Sequence, residues 1–338
     1  MKHAFLRQAM RLHGFTLSMA LVAVAVTGLV GVRDAKAQTK FTAGTVFLSA
    51  TAWPHYVAAD KGYLKARGLD IDLIATRSSA KAIQQLVAES IQVNSSGMPD
   101  NIRAINKGGP IKIIMAQVAT PPYMVYAKPS IKSIADLKGK TVIVGGSKDV
   151  TRIYVEALFA PAGLKPGDYD YIYAGSTSNR FAALMSGGVD AAIMLPPFSL
   201  RAEEQGYTNL GNIQSVLSDF PFTVYAVNTN WAKKNRKVVI DYLAALLKGI
   251  KWLYNPANKE EAVSILTKWT KFKTDDGRKT YDIFMKEINA FRKDGAVTQH
   301  AYDQLINVLM DWGDIKRPKP PISKYIDDSY LKAALKQQ

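Results

Sequence analysis

The stretch LDIDLIATRSSAKAIQQLVAESIQVNSSG, residues 69–97, sets the fold class. An apolar run of strand length over 69–74 leads into the polar corner Thr76-Arg77-Ser78-Ser79. A segment of helical period follows over 79–89, then a short strand over 91–94 closed by Ser95-Ser96-Gly97. Strand, helix and strand in that order make a βαβ unit. The rhythm extends both ways. Upstream the spacing predicts a strand over 45–49 and a helix over 53–67; downstream it predicts a helix over 98–107, ended by Gly108-Gly109-Pro110, and a strand over 111–118. A second unit begins near Pro121-Pro122, with strands at 141–144, 170–173 and 190–194 and helices at 150–160, 179–186 and 197–205. A strand at 222–227 follows. Beyond Asn230 the pattern turns helical over 231–254, 259–269, 274–292 and 298–312, before the extended Arg317-Pro318-Lys319-Pro320-Pro321 segment and a short last helix. The class is α/β, with parallel sheets covered by helices.

The strands end in small polar corners: Ala50-Thr51-Ala52-Trp53-Pro54, Thr76-Arg77-Ser78-Ser79, Ser95-Ser96-Gly97, Gly145-Gly146-Ser147 and Gly175-Ser176-Thr177-Ser178. Open α/β sheets place ligands at the carboxyl ends of their strands, where helix N-termini present free N–H groups. Hydroxyls and bare amides there suit a small oxyanion. The same residues also suit plain helix capping, and each corner by itself allows either reading.

The chain has 338 residues, 48% of them hydrophobic and 21% charged, enough to bury a core in about two domains. It contains no cysteine, which excludes disulfides, thiolate ligands, a cysteine nucleophile and a lipid-anchored cysteine. Lys2, Arg7 and Arg11 precede an uncharged apolar stretch over 14–32 that ends in Ala35-Lys36-Ala37. This reads as a secretory signal peptide over 1–37, cleaved after Ala37, and places the mature protein in the periplasm. Removing its five basic residues and Asp34 lowers the net charge from +16 to +12. The remaining lysines are scattered, so a solvated basic surface is expected and no nucleic-acid partner. Only His55 and His300 remain beyond the leader, which argues against a metal site or a serine–histidine triad. No GxGxxG, GxxxxGK[ST], HExxH or GxSxG occurs.

Tyr56-Val57-Ala58-Ala59-Asp60-Lys61-Gly62-Tyr63-Leu64, continuing through Arg67-Gly68-Leu69-Asp70-Ile71-Asp72-Leu73, resembles the opening of the substrate-binding proteins of ABC importers for nitrate, sulfonates and taurine and their thiamine-precursor-binding relatives. Ile134-Ala135-Asp136-Leu137-Lys138-Gly139-Lys140, Ala162-Gly163-Leu164 and the run from Ala183 to Ala191 add to the likeness. The resemblance implies a type II periplasmic-binding-protein fold. One lobe would combine 41–122 with 228–338, and 123–227 would form the other. The two hinge crossovers would lie at 123–126 and 223–226.

It further implies a monomer without cofactor, catalysing nothing, that closes on a small anion and delivers it to ABC permease subunits. An aromatic acid, a thiamine pyrimidine precursor, riboflavin or a sensory role is the alternative. The positions it implies for ligand contact are Thr51, Trp53, Ser78, Ser79, Ser96, Gly97, Ser147, Thr151, Ser176, Thr177, Pro196, Phe198 and Tyr225. Where relatives read glycine-serine-serine-threonine, this chain has Lys148-Asp149-Val150-Thr151, which removes hydroxyl donors and counts against the usual sulfonate mode. Arg77 and Arg152 flank the corners and could pair a carboxylate or sulfonate, although Glu156 lies one helical turn from Arg152. Trp53, Tyr123, Phe198 and Tyr225 could stack on a planar ligand; core packing is the other reading of each. An enzyme of the related pyrimidine-synthase type would need histidines and cysteines clustered around iron, which this composition does not supply.

Overall fold

The computed structural model describes residues 38–338, so the expected signal peptide lies outside the described residues. The first sheet contains β1 (Thr39–Thr45), β2 (Leu69–Ala75), β3 (Val93–Gly97), β4 (Ile111–Val118) and β10 (Thr223–Asn228), in the order β2-β1-β3-β10-β4. The second contains β5 (Met124–Ala127), β6 (Thr141–Val144), β7 (Asp170–Tyr173), β8 (Ala191–Met194) and β9 (Thr208–Asn212), in the equivalent order β7-β6-β8-β5-β9. In the second sheet the central strands are nearly continuous apolar runs because both faces are covered: Thr-Val-Ile-Val and Ala-Ala-Ile-Met of β6 and β8 are nearly all buried.

The sheets are mixed, not all parallel. β10 runs antiparallel to β3 and β4, and β5 antiparallel to β8 and β9. The cause is the path of the chain. β4 leaves its sheet at Val118, and residues 119–123 lead into the second sheet at the edge where β8 ends. After β9 the chain returns through residues 213–222 and enters the first sheet beside Gly97 and Val118, so β10 must run back from that edge. Both crossovers therefore fall a few residues before the expected positions. Tyr126 lies inside a strand of the second sheet, and 223–227 belong to the first sheet instead of the second lobe.

Helices cover both sheets. α1 (Trp53–Asp60), α2 (Ser79–Val87) and α3 (Met98–Asn106) follow the strands of the first sheet, and α4 (Val150–Phe159), α5 (Thr177–Met185) and α6 (Phe198–Glu204) those of the second. The carboxyl-terminal third adds α7 (Thr229–Lys234), α8 (Arg236–Leu253), α9 (Lys259–Thr270), α10 (Thr274–Tyr281), α11 (Gln299–Asp311) and α12 (Ser329–Leu335). The single helix expected over 231–254 breaks at Asn235, whose φ of −121° lies outside the helical region. The one expected over 274–292 passes from α10 into a wider π-helical segment at Asp282–Glu287. α8 buries Leu243, Leu246, Leu247, Ile250 and Leu253, each contributing ~1.5–3 kcal/mol. Its close approach to α1 requires Gly249, because a Cβ there would stand 2.7 Å from the Pro54 carbonyl oxygen.

Candidate functional site

The carboxyl edges of the parallel strands in both sheets face one cavity of about 220 Å³. It opens at the switch points of the two sheets, between β1 and β3 and between β6 and β8, where successive helices pass to opposite faces. The first sheet supplies Thr51, Ser79, Ser95, Gly97 and Thr223. From the second come Asp149 and Thr151 at the start of α4, Ser176, Thr177 and Ser178 at the start of α5, and Pro196. Apolar walls dominate: Phe47, Tyr123, Leu195, Phe198, Phe222 and Phe272 surround the space. The Thr223 hydroxyl is buried and has no hydrogen-bond partner among the described residues.

One pole of the cavity is positive. Arg180, only 1% exposed, reaches back over the first turn of α5. Its Nε donates to the Ile193 carbonyl (2.8 Å), Nη1 to the carbonyls of Ala174 (3.0 Å) and Gly175 (3.3 Å), and Nη2 to Thr177 Oγ1 (2.9 Å). All four acceptors are neutral, and no carboxylate pairs with this guanidinium among the described residues. These bonds take four of its five N–H groups, and the guanidinium also acts on the Tyr123 hydroxyl. A buried charge answered only by neutral groups favours an anionic or acceptor atom beside it. The Ser176 hydroxyl caps α5 by accepting from Asn179 N (3.1 Å) and lies 2.9 Å from the Ser178 hydroxyl.

The lining also carries a negative group. Asp149 caps α4: its Oδ1 accepts from Thr151 N (2.9 Å) and from the Thr151 hydroxyl (2.5 Å), which in turn accepts from Gly145 N (2.8 Å). The helix N-terminus that might have held an oxyanion already holds a carboxylate of the chain itself. Behind Gly97, Asp100 of α3 lies 3.1 Å from where a Gly97 Cβ would stand. Burial, and secondarily the Asp149 charge, push its carboxyl up to about 7, against the pull of Arg103 and Ser79. Burial pushes the Tyr123 hydroxyl up to about 12; Arg180 opposes this and Asp149 adds to it, so both charges act on one hydroxyl.

Pairs of charged residues bridge the two halves around the rim. Arg201 on α6 donates to Asp276 on α10 through Nε (3.0 Å) and Nη2 (2.5 Å), and Lys279 pairs with Glu204 (2.6 Å). On the other side Arg103 Nη1 donates to the Lys148 carbonyl (2.6 Å), and Lys148 pairs with Asp314.

Two sheets of one strand order meeting over a polar-cornered cavity agree with the resemblance read from the sequence, and the family model described as "NMT1/THI5 like" matches residues 50–259. The chain belongs to the NMT1/THI5-like family. Among curated relatives, the formylaminopyrimidine-binding protein of Halalkalibacterium halodurans is 26% identical over 223 residues, 62% of this chain and 64% of that protein, so the match spans under two thirds of the relative. A 4-amino-5-hydroxymethyl-2-methylpyrimidine phosphate synthase of Saccharomyces cerevisiae is 23% identical over 212 residues, 58% of this chain and 61% of the synthase. Among solved structures, the periplasmic nitrate-binding protein NrtA from Synechocystis PCC 6803 superposes with a TM-score of 0.75 at 17% identity, covering 89% of each chain. The expected fold class is therefore the observed one.

Within this NMT1/THI5-like chain, the cavity brings together Thr51, Ser79, Gly97, Thr151, Ser176, Thr177, Pro196 and Phe198. The other expected positions lie outside it. Trp53 is 0% exposed, donates Nε1–H to the Ala262 carbonyl (3.0 Å) and packs edge-on against Tyr281. Tyr225 is two residues into β10 from the cavity edge, packed on Tyr242 with its hydroxyl near Gln117 Nε2 (3.4 Å). Strand alternation turns Ser95 and Gly97 inward and Ser96 to the other face, where Asn101 Nδ2 donates to it (3.0 Å). Ser78 is spent capping α2. Arg77 is exposed with φ +70°, and Ser147 is exposed with its carbonyl taken by Arg152 Nη1 (2.9 Å). Arg152 pairs with Glu156 (2.7 Å) and lies 5.1 Å from the ring centroids of both Tyr171 and Trp312.

Arg180, Thr223, Phe222 and Phe272 were not singled out from the sequence, and Asp149 was noted only as part of the departure at 148–151. Arg180 had a signal: a basic residue in the first turn of a helix opposes the helix dipole, a placement that calls for a reason.

Proposed function

We propose that this chain is an exported solute-binding protein, catalysing nothing itself, that takes a small organic solute into the cavity between its two sheets and delivers it to the permease of an ABC importer. The observation that carries the reading is the Arg180 guanidinium, buried in a cavity whose acceptors are all neutral, so that a guest's acceptor or anionic group completes its bonding. Support for binding over catalysis comes from the nitrate-binding and formylaminopyrimidine-binding proteins it resembles. A synthase reading has the yeast pyrimidine phosphate synthases behind it, but no cysteine occurs in the chain, and His55 is buried against Tyr242 away from the cavity. The apolar walls favour an organic guest over nitrate, because a bare inorganic ion leaves Phe198, Phe222 and Leu195 without a partner.

A thermal-shift panel of nitrate, sulfonates, aromatic carboxylates and pyrimidines tests the reading: a bound member raises Tm by mass action. Turnover of a panel member by the purified protein, or a panel without a single shift, overturns it.

A further inference from the structure

We infer that the edge of the first sheet turned away from the cavity is a docking surface for an anionic phospholipid bilayer. The inference does not depend on what the cavity holds. β1, β2, β3 and β4 all begin at this edge and the antiparallel β10 ends there, so the loops at their start gather on one surface. Hydrogen bonds tie those loops together. Thr39 N donates to the Gly68 carbonyl (2.8 Å), Thr229 N to that of Pro110 (2.8 Å), Asn228 Nδ2 to that of Leu86 (3.2 Å) and Lys324 Nζ to Asn106 Oδ1 (2.7 Å).

Lysines scattered in sequence meet on this surface. Lys40, Lys107, Lys233, Lys234, Arg236 and Lys324 are all exposed, and none has an ion-pair partner among the described residues. Elsewhere cations meet carboxylates, as Lys268 meets Asp60 (2.7 Å) and Arg278 meets Glu260 (2.9 Å). Here Asp241 is already held by Arg67 (3.1 Å) and Lys237, and the exposed Asp70 and Glu89 leave the edge basic. Unpaired cations side by side repel, and anions gathered opposite them relieve the repulsion.

The chemistry of the edge favours a bilayer over a nucleic acid. Val87 at the end of α2 and Leu335 at the end of α12 are 40% and 38% exposed, unusual for large apolar side chains in this fold. Both helix ends reach the basic edge, α2 through the Asn228–Leu86 bond and α12 through Arg67 Nη1 donating to Gln337. Headgroups answer the cations and the acyl boundary accepts the aliphatic tips, whereas a phosphodiester backbone offers the tips nothing. All but one of the six cations are lysines, point charges suited to a diffuse anionic surface. The apolar stretch over 14–32 is joined to β1 by residues 33–38 alone, so a leader lodged in a membrane holds this edge within roughly 20 Å of it. The cavity lies past the other end of β1, seven residues or about 23 Å away, and a bilayer on this edge leaves the cleft open to solutes.

The test is co-sedimentation of the purified exported protein with vesicles of phosphatidylcholine alone and of phosphatidylcholine containing about 30% phosphatidylglycerol. At low salt the anionic vesicles should take up the protein about tenfold or more better than the neutral ones, and salt at about 0.5 M should remove the difference. Replacing Lys233→Gln and Lys234→Gln together should weaken uptake about fivefold or more. Replacing Lys138→Gln and Lys165→Gln, exposed lysines of the other half, removes the same charge and should leave uptake within about twofold. Equal uptake by both kinds of vesicle overturns the inference, and this comparison needs no variant. Equal losses in the two double variants also overturn it, because net charge alone would then account for binding. So does tighter binding of a short DNA duplex than of the anionic vesicles at the same salt. The vesicles are presented without a guest, so each of these outcomes leaves the solute-binding reading where the thermal-shift panel puts it.

Discussion

Arg201 and Asp276 join the two halves of the molecule through two hydrogen bonds: the Nε and Nη2 of one converge on a single carboxylate oxygen of the other, at 3.0 and 2.5 Å. Asp276 is nearly buried in this arrangement while Arg201 remains about one-third exposed. The pair ties α6, packed on the second sheet, to α10, packed with α9 beside the first; under the proposed solute-binding reading it forms as the cleft shuts. Arg201→Ala leaves the carboxylate unanswered in the closed state, and should weaken solute binding by roughly 1–2 kcal/mol, mostly through faster dissociation. Stopped-flow release of a bound panel member reads this, and an unchanged off-rate would detach the pair from closure.

Arg180→Lys retains a positive charge but cannot reproduce four directed bonds to Ile193, Ala174, Gly175 and Thr177. Affinity for an acceptor-bearing guest should drop by about tenfold or more. Tm should fall as well, because carbonyls of Ala174 and Gly175 lose a donor. Affinity at the wild-type level would place the guest elsewhere.

Trp53→Phe gives the opposite pattern. The indole bond to the Ala262 carbonyl is lost and a small void opens against Tyr281, costing ~1–3 kcal/mol of stability. Solute affinity should not change. A parallel loss of affinity without loss of Tm would put Trp53 back among the contact residues.

Gly249→Ala should destabilise by ~1–3 kcal/mol, because its methyl meets a backbone oxygen at 2.7 Å and α8 must shift off α1. Chemical denaturation measures it; neutrality would show that the two helices can separate freely.

Two buried titrating groups oppose each other in their pH dependence. Asp100 is pushed up from 3.8 to about 7, so the folded chain holds a proton that the unfolded chain loses, and this group's contribution falls as pH rises through that window. Burial lowers His55 from 6.5 to about 4, so its contribution is present above 6.5 and is lost as pH falls toward 4. Between pH 4 and 6.5 the two slopes cancel in part. In Asp100→Asn the His55 slope stands alone, and Tm should climb steadily from pH 4 to 6.5. A flat profile in that variant would contradict the assignment.

Much of the fold was legible because burial on both faces writes continuous apolar runs. Strands at 141–144 and 170–173 coincide with the structure residue for residue, and β4 does so over its full length. β5 and β9 went unseen, since four or five residues beside a crossover carry too little period to stand out. The polar corners were legible as well: four of the five contribute at least one residue to the cavity, while Gly145-Gly146-Ser147 lies just before the Asp149 cap that lines it. Which residue of each corner turns inward was not. Ser95 and Ser96 are chemically alike, and only the pleat of β3 separates them.

Composition and periodicity alone determined an α/β chain of two similar units without thiol chemistry, and the motif around 56–73 carried its family, because local hydrophobic patterning is set by which faces must be buried. Tertiary structure alone decided that β5 and β10 run backwards, that Trp53 and Tyr225 are core, and that Arg180 and Asp149 share a chamber. Those facts depend on chain reversal between sheets and on residues distant in sequence meeting across a cleft, and no local pattern encodes either.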